Sequence, residues 1–238
     1  MARQVCYNLQ SAFDCKHQSI IVQEVTNTSD RSQLCRMGKQ AQEATGITEL
    51  TVLADKGYFS GQDIVEAQDP GMTPLVPLID TSGSVKKGIF NKSLFLYDAE
   101  KDRYICPAQQ EFKPKGIATD KGLRYRNYNC SVKVCSIKSK CNNSPVPRNV
   151  RRWERADRFE MMTKLLESKP ESMLIRKQTV EHSFGTIKLW MGATHLLTRG
   201  FKGVSTEMNL HILAYNLKRM ISIFSVSGLI KEMVAQSF

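Results

Sequence analysis

Hydrophobic and polar positions along the chain follow two periods. At 4–14 (QVCYNLQSAFD) and 17–27 (HQSIIVQEVTN), β-branched and aromatic residues show partial two-residue alternation, which predicts two strands. Asp14 and Lys16 lie between them, so a hairpin is expected. From 29 to 45 the period lengthens. Leu34, Met37, Ala41 and Ala44 fall at helical spacing, with Ser29 or Asp30 as the expected N-cap. ITELTVLADKG (47–57) is apolar nearly throughout from Leu50 to Ala54, as a strand buried on both faces would be, and Gly57 ends it. A short helix is expected over SGQDIVEAQDPG (60–71), capped by Ser60 and stopped at Pro70-Gly71, and TPLVPLI (73–79) reads as another short strand.

Near residue 81 the pattern changes. Gly, Ser and Lys dominate 81–93, two short strand-like runs follow (SLFLYD and RYICP), and a basic, Cys-bearing stretch runs to about 155. Residues 81–156 are expected to form an insertion with a small core of its own. It separates residues 1–80, which carry the hairpin, helix and buried strand, from a helical remainder at 157–238. ADRFEMMTKLLES ends before Pro170, and SMLIRKQTVEHSFGTIKLWMG and STEMNLHILAYNLKRMISIF predict two further helices. In the last of these, Leu210, Leu213, Ala214, Leu217, Ile221 and Phe224 mark the expected buried face. This order predicts an α/β fold, a mixed sheet with helices packed on it.

Composition narrows the function classes. The chain has 238 residues, of which 41% are apolar, ordinary for a globular core. It has no run of 18 apolar residues, and MARQVCYNLQ lacks the apolar segment of a signal peptide. No membrane span is expected, and the cytoplasm is the expected location. The formal charge of +11 predicts a polyanionic partner, nucleic acid first. Residues 101–155 hold 14 Lys and Arg against 4 Asp and Glu, so nearly the whole excess lies in one quarter of the chain. A solvated basic loop is one reading. A nucleic-acid surface is the other, favoured by Tyr125, Tyr128 and Trp153, whose rings could stack on bases. Seven cysteines, an odd number without a signal peptide, argue against a disulfide framework. Cys6, Cys15 and Cys35 are expected as small buried residues, whereas Cys106, Cys130, Cys135 and Cys141 cluster.

Two carboxylates stand where none is expected. Asp55 closes the apolar run, and a charge there needs a metal, a Lys or Arg, or a helix N-terminus as partner. The C-terminal ends of strands in open α/β sheets also gather ligands. Gly57 gives a turn and room for close approach. Glu181 shares a helix with Lys177 at i−4 and Lys188 at i+7, so one face presents Lys, Glu, Lys. The spacing suits an acid flanked by two phosphate-binding cations. It suits equally a plain amphipathic helix with a salt-bridged outer face.

ADKGYFSGQDI (54–64), TVEHSFGTIKLWMGATHLLTRG (179–200) and STEMNLHILAYNLKR (205–219) resemble the DDE-type transposases of bacterial insertion sequences, most nearly the group usually numbered 1182. YNLQSAFDCKHQSIIVQEVTNTSDRSQL (7–34) is similar to that group's first hairpin and helix, and the resemblance runs in order from about residue 5 to 224. It implies an RNase H-like core, here incomplete, and DNA strand cleavage and transfer with three acids holding two divalent ions, Mg²⁺ or Mn²⁺. By this resemblance Asp55 is the second Asp, Glu181 the Glu, and Lys188 the basic residue seven positions on. The related pattern wants Arg at 177 and Tyr at 174, where this chain has Lys177 and Leu174.

The first Asp has no counterpart. Relatives carry it in an Asp-Pro-Asp-like segment that would fall before Met1, together with the N-terminal DNA-binding helices. Asp14, at the hairpin turn, and Asp30, the expected helix cap, are the nearest acids. The resemblance thus implies a C-terminal portion of a catalytic domain, inactive or impaired alone.

The family insertion often carries Cys-Pro, Cys-x-x-Cys and a further Cys, a pattern that can bind zinc. Cys106, Cys135 and Cys141 match it, and Cys130 stands two residues before Val132, where the remaining Cys would be. Zn²⁺ bound by these four, or four reduced thiols, are the alternatives. Lys133, Lys138, Lys140, Arg148, Arg151 and Arg152 are expected near phosphates. His182 is a poor general base by position, and His195 and His211 read as structural. The expected partner is DNA, as transposon ends and target, with self-association left open. The rival readings are a non-catalytic DNA-binding remnant or competitor of a full-length transposase, and a metal nuclease that cuts without strand transfer.

Overall fold

The structure, a computed structural model, describes residues 6–79, 83, 87–120, 122–132 and 135–235. The chain divides into two compact units, one formed by Met1–Leu78 with Met161–Phe238 and the other by Ile79–Glu160. It is a mixed α/β protein.

In the first unit β1 (Asn8–Phe13) and β2 (Ile20–Thr26) form the antiparallel hairpin, with Asn8 opposite Thr26. Asp14 builds the turn. Its carboxylate accepts from the amides of Lys16 (2.9 Å) and His17 (3.2 Å) and lies 2.6 Å from His17 Nδ1. Burial would raise this carboxyl, but those bonds outweigh it and hold the pKa below its ordinary value.

Helix α1 (Leu34–Thr45) starts later than its sequence suggested, so neither Ser29 nor Asp30 caps it. Asp63 does so from α2 (Gly61–Gln68), accepting from the amides of Leu34 (2.9 Å) and Cys35 (3.3 Å). Between these helices runs β3 (Thr51–Leu53), and β4 (Thr73–Leu75) pairs with it in parallel. α1 leans on this pair through Gly38, where a Cβ would lie 2.3 Å from Met72 Sδ. The strands of this unit do not join. Among the described residues they form two separate two-stranded sheets, β1–β2 and β3–β4.

Helices α4 (Ala156–Ser168), α5 (Glu171–Gly185) and α6 (Gly200–Ala235, broken at Ser225) follow. A core cluster of Ile20, Ile187, Val204, Met208, Ile212 and Tyr215 joins α6 to the hairpin. The apolar stripe expected to be buried in α6 is instead exposed: Leu210 is 62% accessible, and Leu213, Leu217, Ile221 and Phe224 lie out with it. The face that packs also carries the polar groups the hairpin needs. The Asn216 amide pairs with both the N–H (2.9 Å) and the C=O (2.8 Å) of Ile20. Tyr215 donates to Gln18 O (2.8 Å), and Arg219 donates to His17 O. Satisfying backbone groups decided the docking face over apolar count.

The second unit is one antiparallel sheet in chain order: β5 (Leu96–Asp98), β6 (Arg103–Ile105), β7 (Glu111–Asp120), β8 (Leu123–Cys130) and β9 (Asn149–Trp153). A short helix, α3 (Lys138–Cys141), precedes β9. Phe95, Tyr104, Cys106, Phe112, Tyr128 and Val150 form its core. Tyr128 is therefore not available for stacking on bases, and Trp153 stacks on Phe159 with centroids 5.1 Å apart. Of the three scattered cysteines only Cys35 is buried; Cys6 and Cys15 are exposed. No helix among the described residues is long and apolar enough to cross a membrane.

Candidate active site

Asp55 sits where β3 runs out, as N-cap of a tight turn at Lys56–Tyr58. One carboxylate oxygen accepts from the Gly57 amide (2.7 Å). The other takes Arg176 Nη2 of α5 at 2.8 Å. Both side chains remain partly open, Asp55 at 42% and Arg176 at 23%. A Cβ on Gly57 would lie 2.9 Å from Asp55 Oδ1 and 3.4 Å from Asp30 Oδ2, so both carboxylates border the space this glycine leaves open.

Asp30, freed from capping duty, is held by the hairpin. Asn8 Nδ2 (2.7 Å) and Gln10 Nε2 (2.8 Å) both donate to its Oδ1. Tyr58 closes the group by donating to Gln10 Oε1 at 2.6 Å. Burial first, then the neighbouring Asp30 and Asp55 charges, push the Tyr58 hydroxyl up to about 12, with Arg176 pulling the other way. The result is a constellation of Asp30, Asp55, Arg176, Tyr58 and Gln10.

Glu181 lies elsewhere on α5. It is exposed, five residues past Arg176, and five residues of α-helix turn a side chain by roughly 140°. Thr179, Val180 and Phe184 share the inward side with Arg176 and line one cavity with Asp55; Glu181 does not line it. Lys177 and Lys188 are also exposed. Lys188 lies in a π-helical turn, Thr186–Trp190, whose wider winding rotates it off the Glu181 line, and its Nζ is 6.0 Å from the Phe184 ring centroid.

The donor set beside Asp55 suits a hard divalent cation, since it consists of carboxylate oxygens. Three of the four oxygens of Asp30 and Asp55 are already bonded, however, one of them to Arg176. Among the described residues, one group of three potential ligands has its ligand atoms all within 4.8 Å: Cys35, Asp63 and Glu66. Asp63 there is the α1 cap, and Glu66 takes the Gln62 amide (2.8 Å).

In the second unit Cys106, Cys130, Cys135 and Cys141 line one cavity of about 260 Å³ together with Arg148. No three of their sulfurs lie within 4.8 Å of one another. Burial pushes the Cys141 thiol up, against the pull of Arg148. Lys138, Lys140 and Arg151 are exposed, the last 3.4 Å from Asp120. Arg152 is engaged inside the unit, with a side chain only 11% exposed. Its guanidinium grips Glu160 and lies 3.7 Å over the Tyr97 ring. Arg148 donates to the carbonyls of Phe90 (2.7 Å) and Cys141 (2.8 Å), and Lys133 lies outside the described residues.

Sequence reasoning missed Arg176, Tyr58, Gln10 and the placement of Asp30. Arg176 left one signal, its position directly before the residue at which the related pattern wants Arg. The other three left none, because pairing of the hairpin with the Asp55 turn is a long-range event.

The sequence pattern of the family described as "Transposase DDE domain" matches residues 2–217. No curated protein and no solved structure matches the chain. With a match spanning most of its length, and an acid at a strand exit set in a charged constellation, the chain belongs to the transposase DDE domain family.

Proposed function

We propose that the protein is the catalytic part of a DNA transposase of the insertion-sequence group numbered 1182, with an RNase H-like core and Asp55 and Glu181 as acids for Mg²⁺ or Mn²⁺. The observation that carries this reading is Asp55 itself, a partly open carboxylate at the exit of a strand from a parallel pair. The ions would supply an activated water or 3′-hydroxyl and charge stabilisation for the leaving oxygen. The chain's own residues prepare that site. Gly57 leaves the space free, its amide fixes one oxygen of Asp55, and Arg176 fixes the other. The exposed Lys138, Lys140, Arg151, Lys177 and Lys188 would hold DNA phosphates, and Arg152 would support that surface from beneath. With DNA as substrate, the cytoplasm is the proposed location.

We further infer that the described residues alone form an impaired site. Most oxygens of Asp30 and Asp55 are committed, and Glu181 faces away from the Asp55 cavity. The ion pair of Asp55 with Arg176 favours a second reading, a DNA-binding protein without catalysis that competes with an intact transposase. For the second unit, the four-cysteine donor set supports Zn²⁺, and the spread of the sulfurs counts against it.

Plasmid nicking in Mg²⁺ and Mn²⁺, alongside duplex-DNA binding at several salt concentrations, tests these readings. The expected result is salt-sensitive binding with weak nicking, the nicking lost in Asp55→Ala and Glu181→Ala while binding persists. Nicking that survives both substitutions would overturn the assignment of the acids. Binding with no nicking in either ion would establish the non-catalytic reading.

A further inference from the structure

The sheet of the second unit has one face in its core and one outside it. Residues paired across antiparallel strands share a face, and successive residues alternate between faces. Tyr128, paired with Pro114 and Val150, belongs to the core with Phe112. Tyr125, Asn127 and Asn129 therefore lie on the outer face of β8. Direct pairing places Asn149 and Arg151 of β9 and Lys113 of β7 on that same face. These last three are exposed, and the β8 residues between them are half-buried, so the face is open. Asn149 Nδ2 donates to Asn127 Oδ1 (3.1 Å), whereas Asn129 Oδ1 has no hydrogen-bond partner among the described residues. Tyr128 is spent on the core and Trp153 on Phe159, but Tyr125 has neither a ring partner nor a hydrogen bond among the described residues. Cations stand at the margins. Lys113 is 3.8 Å from Glu111 and Arg151 is 3.4 Å from Asp120, both pairs open to solvent and weak, and Lys115 is exposed at the bulge of β7.

An aromatic ring beside carboxamides, edged by cations, matches one ligand class. The ring stacks on a base, the amides exchange hydrogen bonds with base edges, and the cations take phosphates. An apolar protein surface would instead bury the amides without partners. Duplex DNA does not fit either. Its bases are already stacked on both sides, and its major groove admits a helix or a two-stranded ribbon, not a face three strands wide. We propose that the outer face of β7, β8 and β9 binds single-stranded DNA, about two or three nucleotides at a time. One base stacks on Tyr125, base edges meet Asn127 and Asn129, and phosphates meet Lys113, Lys115 and Arg151. The choice of DNA over RNA rests on the DNA reading given above. The single-stranded form rests on this face alone and does not depend on catalysis at Asp55.

The test uses the full chain and fluorescence anisotropy at one salt concentration, with three labelled probes: a short oligothymidylate, its RNA counterpart, and a duplex of the same length. Tyr125→Leu keeps bulk without a π face, and Tyr125→Phe keeps the face without the hydroxyl. The expected result is oligothymidylate binding weakened about tenfold in Tyr125→Leu and retained in Tyr125→Phe, with duplex binding unchanged in both. On the unaltered chain, an oligonucleotide carrying 5-bromodeoxyuridine should photocrosslink to β8, located by mass spectrometry. Equal loss of single-stranded and duplex binding in Tyr125→Leu would overturn the assignment, as would unchanged oligothymidylate binding or a crosslink confined to α5 or α6. Tighter binding of the RNA probe would refute DNA as the occupant. Duplex binding without Tyr125-dependent single-strand binding would defeat this inference and leave the proposed function standing, whereas a chain that binds none of the three probes would defeat both.

Discussion

β7 and β8 pair from Phe112 opposite Cys130 to Asp120 opposite Leu123, whereas β3 and β4 pair only from Thr51–Thr73 to Leu53–Leu75. The contrast extends across the two units. In the second, every strand lies beside its chain neighbour, and from β5 to β8 each connection is only a few residues long. Several of its arginines are paired with acids as well. Arg103 meets Asp98 and Glu111, Arg126 meets Asp102, and Arg152 meets Glu160. The first unit relies on long-range contacts, and among the described residues it leaves one edge each of β1 and β3, the Asp30 carboxylate held by the Asn8 and Gln10 amides, and an apolar α6 face without such closure. Local topology makes a finished scaffold. The unit that carries the candidate chemistry is the one whose strands, among the described residues, form two separate sheets.

The largest expected effect tests whether the second unit stands by itself. Tyr128 is fully buried, and its hydroxyl donates to Asp102 (2.6 Å), which also receives Tyr97 (2.8 Å). Burial, then the bond to Asp102, raises the Tyr128 pKa, so the buried group stays neutral. Tyr128→Ala should cost on the order of 3–5 kcal/mol through the cavity it leaves. Amide exchange should rise across β6–β8 while the amides of α6 near Ile212 keep their protection. A uniform rise over both units would show one cooperative fold and break the contrast.

The sequence carried much of this architecture but not its partners. The hairpin, α1, α2 and the short strands follow from period and punctuation, because those report a segment's own amphipathicity. Partner choice is a different quantity. In α6 the stripe Val204, Met208, Ile212, Tyr215 is as good a helical face as the one through Leu210 and Leu217. What selected it was hydrogen bonding by Asn216 and Arg219 to a hairpin almost 200 residues earlier. Asp55 was legible as a charge ending an apolar run. Its contact with Arg176 spans 121 positions and has no local signature beyond the neighbouring motif.

Asp63 provides the middle-sized effect, and it tests whether the first unit's helices depend on contacts made across the fold. Asp63→Ala leaves the amides of Leu34 and Cys35 unpaired and should cost about 1–2 kcal/mol, whereas Asp63→Asn keeps an acceptor and should cost less. Burial raises the Asp63 pKa, outweighing its two backbone bonds. An acid raised in this way gives stability that is full below its unfolded pKa and is lost as pH rises through its folded one. In denaturant titrations across the range just above the ordinary carboxylate pKa, Asp63→Asn should flatten that loss. An unchanged slope would mean that Asp63 is not the group responsible.

The smallest effect on stability carries the sharpest comparison of charges. Arg176 and Asp55 are both partly open to solvent, so Arg176→Ala should cost less than about 1 kcal/mol. In the second unit Arg103, Arg126 and Arg152 each lock an acid for structure. If Asp55 is instead a ligand, Arg176 is a fixed cation beside an incoming one, and its removal lowers the repulsion that a divalent ion meets. Mn²⁺ affinity, followed by electron paramagnetic resonance titration, should then rise severalfold in Arg176→Ala and vanish in Asp55→Ala. An arginine that merely stabilised the fold would give unchanged or weaker Mn²⁺ binding on removal. That result would place Asp55 with Asp102 and Glu160, acids paired to hold a structure together, and would leave the division of the described strands into two sheets as the real difference between the two units.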